Sequence, residues 1–139
     1  MIIMGLDQEI LRSELNIIPY INQENGEWIG AKKLIDFRKS YWLHNIMMKI
    51  GMGKLNKPIE DLNTVCIPLT RIELLALLDK TKECVKTKSS SLVDTYFDVE
   101  VDSEYELDWV LDEMKEFNIV MSRFLKNKKK TEYYYWSWW

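Results

Sequence analysis

Histidine and cysteine are scarce in this chain, no apolar run is long, and neither sign of charge dominates. One histidine and two cysteines stand among 139 residues. Cys66 and Cys84 are far apart and form no CxxC pair, which argues against a disulfide framework and fits a reduced cytoplasm. One histidine with two scattered cysteines also suggests no zinc site. A formal net charge of −3 argues against a binder of DNA or RNA polymer, which would carry a strong basic excess. A small anionic ligand needs only a few local cations and stays open. No stretch approaches the roughly 20 apolar residues of a membrane span. The opening "MIIMGLDQEIL" has no basic n-region and meets a charge at Asp7, so it does not read as a signal peptide.

What is present is an ordinary globular composition, 47% hydrophobic and 29% charged, in a length that suits one domain. Residues 1–12 and 27–36 read as strands, with Asn25-Gly26 between them as a tight-turn signal. Residues 38–50 read as a helix, broken by the glycines of "GMGKLNKP" and by Pro58. "NTVCIPL" is a short strand in which Pro68 favours an end or an edge. Thr70 and Glu73 have capping-box spacing and open a helix with the stripe Leu74, Leu77, Leu78, Thr81 and Val85. "KTKSSS" reads as a linker and "DTYFDVEV" as an alternating strand. Ser103 and Glu106 repeat the capping spacing before a helix whose face runs Leu107, Val110, Leu111, Met114, Phe117, Met121 and Phe124. The expectation is one α+β domain over residues 1–139, a mainly antiparallel sheet with about three helices packed on it.

Three features could carry chemistry. On a helix over 38–50, Arg38, Trp42, Asn45 and Lys49 share a face that offers a flat ring and cations, the needs of a nucleotide. The spacing alone favours the plainer reading of a solvated face whose long side chains cover apolar surface, with Trp42 partly buried. His44 shares a different face with Phe37, Tyr41 and Met48, where a hydrogen-bonded core histidine is expected rather than a general base. Trp109 falls beside Asp112, Glu113 and Glu116, which marks a subunit contact or a satellite cluster under a loop. "GMGK" at 51–54 lacks the Walker spacing and is no phosphate loop.

The tail "YYYWSWW" is the densest aromatic stretch. As a strand it points Tyr133, Tyr135, Ser137 and Trp139 one way and Tyr134, Trp136 and Trp138 the other. Helices explain one set. The other needs a loop cover, another subunit or a stacked ligand.

Five blocks occur in order: "MGLD" at 4–7, "RKSYWLH" at 38–44, "LTRIELLALL" at 69–78, "YELDWVLDEMK" at 105–115 and "YYYWSWW" at 133–139. Together they resemble a family of small phage proteins that open with MGLD. Its members carry an RKxxxIH helix start, a VSxxxLxxLL helix and an acidic helix, and end in YYxSxW. The chain departs from that pattern at Phe37, where the family has tryptophan, at Tyr41, where it has asparagine, and at "YFDVEVDS", which replaces a glycine-containing strand. The resemblance implies an immune-evasion sponge without enzymatic activity. Such a protein is a homo-oligomer, dimer or tetramer, that sequesters a cyclic dinucleotide such as cyclic GMP–AMP in the cytoplasm of an infected bacterium. It needs no cofactor. On that reading Arg38 and Lys39 contact phosphate, and His44 orients the ligand or holds the helix. Tyr134, Tyr135, Trp136 and Trp139 stack bases or close the oligomer. The alternatives are a host-takeover protein that binds a host partner through its aromatic surface, and a metal-independent nucleotide phosphodiesterase.

Overall fold

A computed structural model describes residues 5–14, 17–127 and 131–139, so the start of the first expected strand (1–4) lies outside the described residues. The element order is β1 (Asp7–Ser13), β2 (Tyr20–Ile21), β3 (Trp28–Ile29), β4 (Ala31–Arg38), α1 (Tyr41–Leu55), β5 (Ile67–Leu69), α2 (Arg71–Thr87), α3 (Ser90–Phe97), α4 (Glu104–Leu125) and β6 (Tyr133–Trp138). The fold is α+β, as the pattern predicts, with four α-helices among the described residues where about three were expected. A four-stranded antiparallel sheet runs β4-β1-β6-β5, and β2 and β3 form a separate hairpin.

The C-terminal strand therefore lies inside the sheet. Tyr135 pairs with Ile10 of β1 on one side and Ile67 of β5 on the other. Alternation along β6 sorts its rings. Tyr133 and Tyr135 enter the main core under the helices, beside Ile10, Ile67, Met114 and Phe117. Tyr134 enters a smaller cluster on the opposite face with Leu11 and Ala31, against which Trp28 and Trp136 pack. That second face is covered by the hairpin: Trp28 of β3 meets Trp136 edge-on at 5.5 Å. A loop cover is thus the main answer to the spare rings, although Trp138 stays 57% exposed. Pro68 sits on β5, an edge strand, where a missing N–H costs no ladder bond to a further neighbour.

Local signals decide most helix ends. Thr70 and Glu73 form the full reciprocal capping box, with Thr70 Oγ1 accepting the Glu73 N–H at 3.1 Å and Glu73 accepting the Thr70 N–H at 2.9 Å. Ser103 Oγ accepts the Glu106 N–H at 3.1 Å, but the Glu106 carboxylate takes the Asp102 N–H instead of completing the box. The buried stripe of α4 is Val110, Leu111, Met114, Phe117, Met121 and Leu125. Leu125 replaces the expected Phe124.

The linker read in "KTKSSS" shrinks to Lys88 and Ser89, because α2 runs to Thr87 and α3 starts at Ser90, and two further expectations fail for stated reasons. "DTYFDVEV" is not a strand, because residues 94–97 complete α3. Ser89 caps that helix by accepting the Leu92 N–H at 3.2 Å, and Val93 and Phe97, four apart, bury one side of it. Asp98 ends α3 in the left-handed region at φ 55°. The glycines at 51 and 53 do not stop α1 either. It continues to Leu55 and ends at Asn56, left-handed at φ 52°.

Gly51 is there because β5 crosses close to the helix. A Cβ at Gly51 would stand 2.6 Å from the Ile67 Cδ1 and 3.2 Å from a Leu62 methyl, whereas one at Gly53 would meet nothing within 4 Å. No helix among the described residues is long and apolar enough to cross a membrane. The two glycines should separate in denaturant unfolding. Gly53→Ala is expected to stabilise by about 0.5–1 kcal/mol through helix propensity alone. Gly51→Ala is expected to cost about 1–3 kcal/mol through overpacking against Ile67. Equal stabilisation by both would contradict the close approach.

Candidate functional site

The junction between β4 and α1 is built from residues distant in sequence. Lys39 takes a left-handed backbone at φ 58°, an uncommon state for a long side chain, and its N–H is held by the Leu6 carbonyl at 2.8 Å. Ser40 occupies the N-cap of α1, yet its hydroxyl does not cap the helix. It donates to Glu113 of α4 instead. The amide side chain of Gln8, from β1, reads the Ser40 backbone both ways: Oε1 accepts its N–H at 2.7 Å and Nε2 donates to its carbonyl at 2.9 Å. The same Nε2 donates to the Tyr135 hydroxyl at 3.0 Å. β1, β6 and α4 therefore all fix where α1 begins.

Beside this junction lies a groove of about 240 Å³ between the start of α1, residues 99–101 and α4. Lys39, Tyr41, Trp42, Trp109, Val110 and Glu113 are among the residues that line it. Glu106, Trp109, Val110 and Glu113 stand at i, i+3, i+4 and i+7 on α4, so one helical stripe supplies that wall. Tyr41 is 38% and Trp109 48% exposed, which leaves both rings open to a ligand. Glu113 accepts the Trp42 indole N–H at 3.2 Å together with the Ser40 hydroxyl. Burial raises its pKa, and those two hydrogen bonds oppose the rise.

The residues expected to form one site are scattered over the molecule. Arg38 and Lys39 precede α1, so the helical face of Arg38, Trp42, Asn45 and Lys49 does not form. Arg38 is exposed and stands 3.7 Å from Asp7, an exposed pair of little energetic weight. Asn45 and Lys49 turn instead to Asp98, at the end of α3. Trp42 is only 1% exposed. It packs edge-on against Phe37, Phe97 and Phe117 at 6.1, 5.4 and 5.8 Å and reaches the groove from the core side. Lys39 and Trp42 are thus the two expected residues that share the groove. Tyr134 and Trp136 lie on the far face of the sheet. His44, Tyr135 and Trp139 meet in the interior.

His44 is the core histidine its apolar neighbours predict. It is 1% exposed, its ring meets Trp139 edge-on at 4.9 Å, and Nδ1 stands 3.0 Å from the Tyr135 hydroxyl. That hydroxyl also accepts from Gln8, and the histidine tautomer sets which side supplies the proton of the His44–Tyr135 hydrogen bond. Nε2 is buried and has no hydrogen-bond partner among the described residues. Burial lowers the His44 pKa to about 4 and raises that of Tyr135, so both groups are neutral at physiological pH. Burial likewise pushes the Cys66 and Cys84 thiols up to about 11, away from nucleophilic thiolate. This cluster orders the fold and is not poised for proton transfer.

Tyr41 and Glu113 were not among the expected binding residues. Trp109 was visible as an aromatic on an acidic face, but its partners Tyr41 and Lys39 lie about seventy residues away in the chain, beyond any periodicity signal.

A titration should expose His44. Its folded pKa of about 4 lies below the ordinary 6.5, so the unfolded chain binds the proton first as pH falls. Stability is then lost progressively between those two values and is unaffected by this group above 6.5. Chemical denaturation across that window should show the loss, and His44→Gln should flatten it. An unchanged slope in the variant would contradict the assignment, because the chain has no other histidine.

Comparison with known proteins shows no family for this chain: no family model, curated protein or solved structure matches it.

Proposed function

We propose that the chain is a phage immune-evasion protein that binds a cyclic dinucleotide signal of bacterial defence and sequesters it unhydrolysed in the host cytoplasm. The observation that carries this reading is the groove itself. Two accessible aromatic rings, Tyr41 and Trp109, stand with a cation, Lys39, at a cleft whose far wall is fixed by hydrogen bonds. Rings for a base and a cation for phosphate are the two elements nucleotide capture requires. The order of the sequence blocks supplies the class of ligand.

Size bears on assembly. The groove holds about 240 Å³, below the roughly 300–1,000 Å³ of sites that enclose a drug-sized molecule. It accommodates one base of a dinucleotide. The remainder of the ligand extends outward, where a second copy of the chain can close over it, in keeping with a dimer or tetramer. Sequestration by such a pair gains its strength from slow release. A host-protein target is the second reading, favoured by Tyr105, Trp109 and Ile119, all exposed on α4.

The test uses purified protein and a panel of cyclic dinucleotides, with free ligand removed and the protein then heat-denatured. Intact nucleotide should be recovered, and Trp109→Ala should weaken binding at least about fivefold, since stacking contributes about 1–3 kcal/mol per base. Recovery of cleaved nucleotide would establish a phosphodiesterase instead. Failure to bind any member of the panel would remove the proposal, and stoichiometric capture of one host protein would replace it.

A further inference from the structure

Taking the groove as a nucleotide site, and so resting on that reading, we infer that it selects guanine over adenine, with Glu113 as the specificity-determining residue. The argument starts from the unused valence of one carboxylate. Glu113 lines the groove, and each of its oxygens accepts one hydrogen bond from the protein, Oε1 from the Trp42 indole and Oε2 from the Ser40 hydroxyl. A carboxylate oxygen has two acceptor positions. In its ionised form Glu113 thus retains two adjacent acceptors and has no donor to offer. Its position is not adjustable, because Trp42 is locked among Phe37, Phe97 and Phe117, and the Ser40 backbone is clamped by Gln8.

The complement of two adjacent acceptors is two adjacent N–H donors on the edge of a flat ring. Guanine offers them at N1–H and the 2-amino group. Adenine offers its 6-amino group beside N1, a lone pair that would face the carboxylate unpaired, and a buried polar group left unpaired carries a full desolvation cost. Cytosine repeats adenine's mismatch at N4 and N3. Uracil has a single N–H flanked by two carbonyls.

Charge points the same way. Glu100 and Glu106 also line the groove, so negative potential favours a donor edge inward and phosphates outward. Lys39 is exposed and is the single cation among the described lining residues. A base seated between Tyr41 and Trp109 with its donor edge on Glu113 leaves its phosphates to Lys39. Ring stacking then gives affinity that any base would share, and Glu113 gives the discrimination.

The experiment measures binding of cyclic di-GMP, cyclic di-AMP and cyclic di-IMP to the full-length protein by calorimetry. Cyclic di-IMP has the guanine ring without the 2-amino group. The expected order is cyclic di-GMP at least tenfold tighter than cyclic di-AMP, with cyclic di-IMP between them. Glu113→Gln should shrink the preference to within about threefold, because an amide offers a donor as well as an acceptor. Lys39→Gly, which suits the left-handed backbone, should weaken all three ligands by a similar factor and leave their ratio unchanged. The cyclic di-IMP comparison needs no variant, so it decides the matter even where Glu113→Gln fails to fold. Equal binding of cyclic di-GMP and cyclic di-AMP would overturn the assignment of guanine and leave sequestration standing. An unaltered preference in Glu113→Gln would likewise overturn the role of Glu113. Absence of binding by all three, with tight binding of an arginine-rich peptide, would overturn both the assignment and the nucleotide reading beneath it.

Discussion

The insertion of Tyr133–Trp138 between β1 and β5 is the constraint on which the rest of the molecule depends. Without β6 the strands on either side have no common neighbour: β4 and β1 would form one ribbon, and β5 would be a three-residue segment with nothing to pair with. An isolated two-stranded ribbon is marginal in water. The pairing is non-local, because a strand near residue 135 must find partners near residues 10 and 67. Its cost in chain entropy is met by burial of rings on both faces.

From Tyr135 a line of hydrogen bonds carries this constraint to the groove. Its hydroxyl joins His44 and Gln8, and Gln8 holds the backbone of Ser40. Ser40 and Trp42 then meet on Glu113. Polar groups from β1, β6, α1 and α4 are thus satisfied by one another inside a water-poor region, where each bond is stronger and each vacancy costlier than at the surface. Among the described residues three buried side-chain atoms lack a partner, His44 Nε2, Asn118 Oδ1 and Ser137 Oγ, and the first belongs to a group whose charged form is already suppressed by burial. The network fixes the start of α1 so firmly that Lys39 accepts a left-handed backbone at its edge. A cation and two rings stand beside that frame, and on the proposed nucleotide reading such preorganisation would lower the entropic cost of capture.

Features set by neighbours in sequence were legible without the structure. The capping box at Thr70, the edge position of Pro68, the stripe of α4 and the two-faced alternation of the tail are short-range patterns with a mechanical cause. The misreadings come from contacts the sequence does not display. Gly51 reads as a helix breaker, and only the approach of Ile67 explains why a glycine is buried mid-helix. "DTYFDVEV" alternates as a strand, but Ser89 and the burial of Val93 and Phe97 draw its first half into α3. Arg38, Trp42, Asn45 and Lys49 read as one helical face because the helix is expected from residue 38, whereas it begins at Tyr41. The groove was the least legible feature of all. Its walls come from the ends of separate elements, and Glu113 acquires its position only when α4 packs beside the start of α1.

Native-state hydrogen exchange at the backbone amides of Tyr133–Trp138 tests the keystone role of the last strand most directly. The account expects the amides of Tyr134 and Tyr135 to exchange only through global unfolding, as slowly as any in the protein, despite their place at the C-terminus. Exchange of these amides well before those of β1 and α4, as in a frayed terminus, would contradict it.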